Sequence, residues 1–266
     1  ILQIKDHQIL KDLLSSDKLN MDEIDVFKTA LHWASSQTED KKGDLREILG
    51  SALYSIRFPL FSSSQFSDEV IPSKLLNDEE MADILKFVTK SKSSVSSNFS
   101  IKSRIRECDR FGKNNLTWGS IKPLRHFIGF IVDKPIKIYG VGVIPPFYQV
   151  SKLTGSMFLE KVNTMEKEAK VCLASKSFVV EFNRILLKAR VDFDEPITIK
   201  PKSHYRICLK YEESPFNRNN WSGINGRKTI IADGVQFDFV HGCNSDLYGK
   251  TIETSQIPSI IFSRLS

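Results

Sequence analysis

Through residues 1–90 apolar side chains recur at three- and four-residue intervals, the spacing of helices that hide one face. Ile24, Phe27, Leu31 and Ala34, flanked by Val26, Ala30 and Trp33, make a wide apolar surface, as on a helix packed by several neighbours. Asn20 followed by Glu23 has capping-box spacing and predicts the start of that helix. Asp44 with Glu47 predicts another start, with Leu45, Ile48, Leu49, Ala52 and Leu53 on one face. It should end near Arg57, because Phe58 precedes Pro59 and is pushed out of the helical region. Ser62 with Gln65 and Asn77 with Glu80 predict two further starts, the second leading into Met81, Ile84, Leu85 and Val88. Upstream, Ile9, Leu10, Leu13 and Leu14 form one more amphipathic piece. Short connections imply antiparallel neighbours and an all-helical domain over 1–90.

The period then falls to two. Phe178, Val180 and Phe182 alternate with Val179, Glu181 and Asn183; Tyr205, Ile207, Leu209 and Tyr211 alternate with Arg206, Cys208 and Lys210. Val235, Phe237 and Phe239 repeat the pattern, and strand-like runs cover 127–132, 136–143, 156–162 and 258–263. Turn formers separate them at Asp133-Lys134-Pro135, Asp194-Glu195-Pro196, Ser222-Gly223 and Asp233-Gly234. Many short strands without intervening helices predict an antiparallel β-sandwich over 101–266. Residues 91–100 are serine-rich and predict a flexible linker. The expected fold class is α + β as two separate domains.

Composition narrows the function. Hydrophobic content of 41% and charged content of 26% suit a buried core, and no apolar run reaches the roughly 18 residues needed to span a bilayer. The chain opens at Ile1 without an initiator Met, a basic n-region or an apolar h-region. A longer parent protein without a signal peptide is expected. Cys108, Cys172, Cys208 and Cys243 are far apart, which argues for reduced thiols in the cytoplasm; a secreted disulfide framework is the alternative. Charge is uneven: residues 1–92 hold 12 Lys/Arg against 16 Asp/Glu, and the remainder 26 against 16. The basic residues are scattered between strand-like runs, which favours a solvated face over a nucleic-acid surface.

Candidate chemistry is sparse. His7, His32, His126, His204 and His241 have no metal-ligand spacing, and there is no nucleophile elbow. No catalytic residue, metal or cofactor is expected, and the chain reads as a non-enzyme. Gly223-Ile224-Asn225-Gly226-Arg227-Lys228-Thr229 lacks the spacing of a phosphate loop and reads as a loop before a strand at 228–232. Pro145-Pro146-Phe147-Tyr148 matches the PPxY pattern bound by WW domains, which requires an exposed polyproline segment; the competing reading is a structural loop. Asn217, Arg218, Asn219 and Trp221, within 216–221, have the composition of a binding hot spot, against a role capping the sandwich edge.

Two sets of residues carry a family resemblance. Asn20-Met21-Asp22-Glu23-Ile24-Asp25-Val26-Phe27 with Trp33, then Ile48-Leu49-Gly50-Ser51-Ala52-Leu53 and Ile56-Arg57-Phe58-Pro59-Leu60, resemble BACK domains. Asp109-Arg110-Phe111, Trp118, Ile138-Tyr139-Gly140-Val141-Gly142, Gly234 to Phe239 and Gln256-Ile257-Pro258 resemble a PHR domain. The whole is similar to BTB-BACK-PHR proteins, with no stretch resembling the BTB domain. It departs from them at Val143-Ile144-Pro145-Pro146, at Ser255 before Gln256, and after Trp118.

The resemblance implies a jelly-roll-like PHR sandwich that recruits a protein substrate. It also implies BACK helices supporting a BTB contact with cullin-3, and a homodimeric full-length protein acting as a ubiquitin-ligase adaptor. Under that implication Phe147, Tyr148, Asn217, Arg218, Asn219 and Trp221 are the candidate partner-binding residues, and Ile4, His7 and Lys11 the candidate exposed, cullin-facing ones. A scaffold uncoupled from ubiquitination and a small-molecule or carbohydrate-binding sandwich remain as alternatives.

Overall fold

Helix α1 (His7–Ser15) is capped by Asp6, whose carboxylate accepts from the amides of Gln8 and Ile9. In the computed structural model, which describes residues 4–37, 44–89, 98–111, 116–120, 125–146, 152–163, 169–181, 188–212, 219–240 and 255–265, the chain divides into two compact units, Ile1–Ile105 and Arg106–Leu265.

The first unit is helical. Helix α2 (Glu23–Ser36) buries Val26, Phe27, Ala30, Trp33 and Ala34. Its cap position is Asp22, whose side chain makes no capping bond to the helix amides, so the expected box at Asn20 and Glu23 does not form. Glu23 instead turns inward onto Arg104. Helix α3 (Leu45–Leu49) begins on the Asp44 cap but stops early. Gly50 has φ of +45° there, and the chain tightens into a 3₁₀ stretch, Gly50–Ser55.

Helix α4 (Ser63–Gln65) carries a complete capping box between Ser62 and Gln65. A π-turn, Phe66–Val70, joins it to α5 (Ile71–Ser73). Helix α6 (Asp78–Thr89) starts from the expected reciprocal pair: Glu80 N donates to Asn77 Oδ1 at 2.8 Å, and Asn77 N donates to Glu80 Oε2 at 3.0 Å. Phe27, Phe58, Phe61 and Phe66 pack in the shared core.

That unit does not end with α6. Phe99 is 4% exposed and meets the ring of Phe58 edge-on at 5.1 Å. Arg57, buried, donates to the Lys102 carbonyl at 2.6 Å and pairs with Asp17 at 2.5 Å. Arg104, wholly buried, pairs with Glu23 at 2.5 Å and donates to the carbonyls of Ser16 and Ser55. Residues 98–105, expected to fall in the linker and the start of the sandwich, therefore fold with the helices. Two buried arginines, Arg57 and Arg104, hold them there.

The second unit is an antiparallel sandwich. One sheet has the order β1 (Arg106–Asp109), β12 (Ser259–Arg264), β4 (Ile136–Val143), β7 (Ala189–Ile199). The other runs β10 (Thr229–Ala232), β11 (Val235–Val240), β3 (Arg125–Val132), β8 (His204–Tyr211), β5 (Lys152–Asn163), β6 (Ala169–Glu181). A separate pair joins β2 (Leu116–Ser120) to β9 (Asn219–Gly223). Alternation puts Ile128, Phe130, Tyr205, Ile207, Phe237 and Phe262 into one core, where Phe237 and Phe262 meet at 4.8 Å.

Asp194-Glu195-Pro196, expected as a turn, lies inside β7. That strand is at the sheet edge, where proline is tolerated. Ser222-Gly223 likewise ends a strand instead of making a turn. At Gly140 a Cβ would stand 2.1 Å from the Val191 carbonyl oxygen, so the close passage of β4 along β7 admits only glycine.

Candidate functional site

The first and last strands of the sandwich pair with each other, Arg106↔Phe262 through Asp109↔Ser259. Arg110 follows, fully buried, its guanidinium 4.8 Å from the ring centroids of both Phe111 and Phe239. It donates to the Ile257 carbonyl at 3.0 Å, and burial pulls it down to about 10. The Asp109-Arg110-Phe111 and Gln256-Ile257-Pro258 motifs thus form one structural joint, reinforced by Arg110 N donating to Pro258 O. Lys188 bridges Glu107 and Asp109 at 2.6 and 2.7 Å. Burial opposes its charge, but these two carboxylates outweigh it and hold the ammonium above its usual range.

Away from this joint, the outward face of the six-stranded sheet carries a recess. A cavity of about 270 Å³ is lined by Arg125 and Phe127 on β3, Phe158 and Glu160 on β5, Lys170 on β6, and Arg206, Cys208 and Lys210 on β8. Strand register explains its shape. Cys208 lies directly between Phe127 and Phe158 in the neighbouring strands, so a short side chain is flanked by two phenyl rings. Glu160 lies opposite Arg206, pairing at 2.5 Å, and the guanidinium sits 4.6 Å over the Phe127 ring. Arg206 is therefore neutralised and fixed. Arg125, Lys170 and Lys210 are exposed, and no ion pair is recorded for them among the described residues.

None of this is a nucleophilic or metal-binding arrangement. Burial pushes the Cys108 thiol up to about 12 and Cys208 up to about 11, so both stay protonated near neutral pH. His126 is buried with its ring 5.4 Å from Tyr211. Among the described residues no group of three His, Cys, Asp or Glu side chains could hold a metal ion. No helix among them is long and apolar enough to cross a membrane.

None of the sequence-derived candidates that are described lines this cavity. Phe147, Tyr148, Asn217 and Arg218 lie outside the described residues. Pro145 and Pro146 are buried, which favours the structural-loop reading of that motif. Asn219 and Trp221 lie on β9, where Trp221 pairs with Trp118 and Asn219 with Ser120.

In the helical unit Ile4, His7 and Lys11 are half-buried, not exposed. The Ile4 carbonyl accepts from the Trp33 indole at 2.6 Å, and His7 Nε2 lies 2.7 Å from the Leu49 oxygen. Both residues anchor the entry to α1. The cavity was not legible in the sequence because its lining comes from four strands spread between Arg125 and Lys210, brought together only by their pairing. Its trace in sequence is Phe127 and Phe158, aromatic at positions whose strand neighbours point inward.

Residues 109–263 match the PHR domain family, and residues 1–70 match the family described as BTB And C-terminal Kelch. The chain therefore belongs to the PHR domain family and carries a BACK region ahead of that domain. BTB/POZ domain-containing protein 3 of Mus musculus is 29% identical over 281 aligned positions, covering 97% of this chain and 48% of that protein. The Homo sapiens protein of the same description is 28% identical, over 97% and 49%. BTB/POZ domain-containing protein 6-B of Danio rerio is 25% identical, over 97% and 53%. The chain spans about half the length of the curated relatives it matches.

Proposed function

We propose that this chain is the recruiting half of a cullin-3 ubiquitin-ligase adaptor. In this reading the PHR sandwich holds a target protein and the BACK helices support a BTB–cullin contact made elsewhere in the full-length, homodimeric protein. The observation that carries it is the succession of BACK and PHR regions on one chain, shared across 97% of its length with proteins described as BTB/POZ domain-containing. The mechanism is tethering: a held target sees a high effective concentration of the ubiquitin-loaded enzyme, with no chemistry in this chain. Its place of action is the cytoplasm.

Affinity capture with two baits tests this, the natural full-length protein and the 266-residue chain. Cullin-3 with the full-length bait, together with a partner shared by both, is expected. A shared partner without cullin-3 would point to a scaffold instead.

A further inference from the structure

The groove between Phe127 and Phe158 has two properties that together define a ligand. Its centre is apolar and short of atoms, because Cys208 fills little of the space between the rings. Its margins carry Arg125, Lys170 and Lys210, while Glu160, the one carboxylate among the described lining residues, is already satisfied by Arg206. The outward positions of a sandwich strand are ordinarily polar, so two phenylalanines there need a use.

We propose that this groove is the docking site for a short acidic peptide segment that seats one apolar side chain over Cys208 and its flanking carboxylates against Arg125, Lys170 and Lys210. This rests on the adaptor reading, for which it names the chemistry of the target.

Other polyanions fit less well. Nucleic-acid binding combines a basic track with open aromatic faces for base stacking. Here the Phe127 ring is covered by the Arg206 guanidinium, and Glu160 sits among the cations. An anionic membrane favours a protruding surface with apolar side chains that insert, whereas this site is recessed. A peptide side chain entering a notch, with charges at its rim, needs neither.

The test uses the 266-residue chain and fluorescein-labelled peptides in an anisotropy titration. The probe is Asp-Glu-Asp-Phe-Asp-Glu-Asp, beside a version with Gly in place of Phe and one with Asn and Gln in place of the acids. Binding should favour the first probe and weaken with salt. The double variant Arg125→Glu, Lys210→Glu should lower its affinity by at least about tenfold, with an unchanged melting temperature. The double variant Lys200→Glu, Lys228→Glu, which removes the same charge elsewhere on the sandwich, should leave it near the parent value. Cys208→Leu, which fills the notch, should abolish the preference for Phe over Gly.

Equal losses in both charge-reversal variants would overturn the proposal, since net charge alone would then explain binding. So would binding confined to phosphatidylserine vesicles or a single-stranded oligonucleotide, or no binding to any probe. Carrying Arg125→Glu, Lys210→Glu into the full-length bait separates the two readings. Cullin-3 and target both retained would sink the groove and spare the adaptor; peptide binding without cullin-3 would do the reverse.

Discussion

The Arg57 guanidinium donates to the carbonyl oxygen of Lys102, 45 residues further along the chain and 2.6 Å away. The same side chain holds Asp17, to which the Lys102 ammonium is also paired. Arg57 therefore clamps the segment after the serine-rich stretch onto the loop after α1. An arginine suits this role because its planar fork can serve a carboxylate and a carbonyl at once.

The neighbouring clamp predicts a large stability change. Arg104→Met should leave Glu23, only 8% exposed, as a buried charge without its main partner. The expected loss is about 3–5 kcal/mol, measured by urea denaturation. Adding Glu23→Leu should recover most of it, because two apolar side chains avoid the desolvation that the ion pair must overcome. A double variant no better than Arg104→Met alone would count against this account.

Asp17 and Glu80 predict how the helical unit responds to acid. Burial raises both carboxyls, but Lys102 and Arg57 at Asp17, and Arg46 with the Asn77 amide at Glu80, outweigh it and hold them below their usual values. A carboxyl lowered in the folded state stabilises fully above its unfolded pKa, roughly 4, and loses that contribution as pH falls through the folded value. Asp17→Asn and Glu80→Gln should each reduce stability at neutral pH. Each should also narrow the gap between neutral and strongly acidic denaturation midpoints.

Thiol labelling should separate the cysteines. Cys172 is exposed, whereas Cys108 and Cys208 are buried with raised thiols. Iodoacetamide followed by peptide mass spectrometry should mark Cys172 in the native protein, and Cys108 only after denaturant is added. Rapid native labelling of Cys108 would show that the joint at β1 opens readily.

At Gly223 a Cβ would stand 2.3 Å from Cδ2 of Phe111. Gly223→Ala should cost about 1–3 kcal/mol by overpacking. In a Phe111→Leu background the added cost should shrink. Additive losses in thermal unfolding would mean that Phe111 is not the obstacle.

What was legible in the sequence follows from how far apart the interacting residues lie. Ser62 with Gln65 and Asn77 with Glu80 close their caps within one turn, so spacing alone revealed them. Glu23 has the same spacing from Asn20, but its partner Arg104 is 81 residues away, and that pairing decides where the side chain goes. The alternation in β8 and β11 gave the inward faces directly. The groove depends on Cys208 meeting Phe127 and Phe158 across two ladders, a matter of register that no single strand encodes. Asp194-Glu195-Pro196 misled because turn formers also occupy an edge strand.

The return of Phe99, Lys102 and Arg104 to the helices changes what the serine-rich stretch is for the engineer. Thr89 ends α6 and Phe99 is seated beside Phe58, so both banks of residues 90–97 belong to the same unit. Extra residues placed between them enlarge a closed loop, at an entropic cost that grows only with the logarithm of its length. They add nothing to the reach from one unit to the other, because the units adjoin at the bond between Ile105 and Arg106. An epitope tag or fluorophore spliced into 90–97 would therefore report on the helical unit.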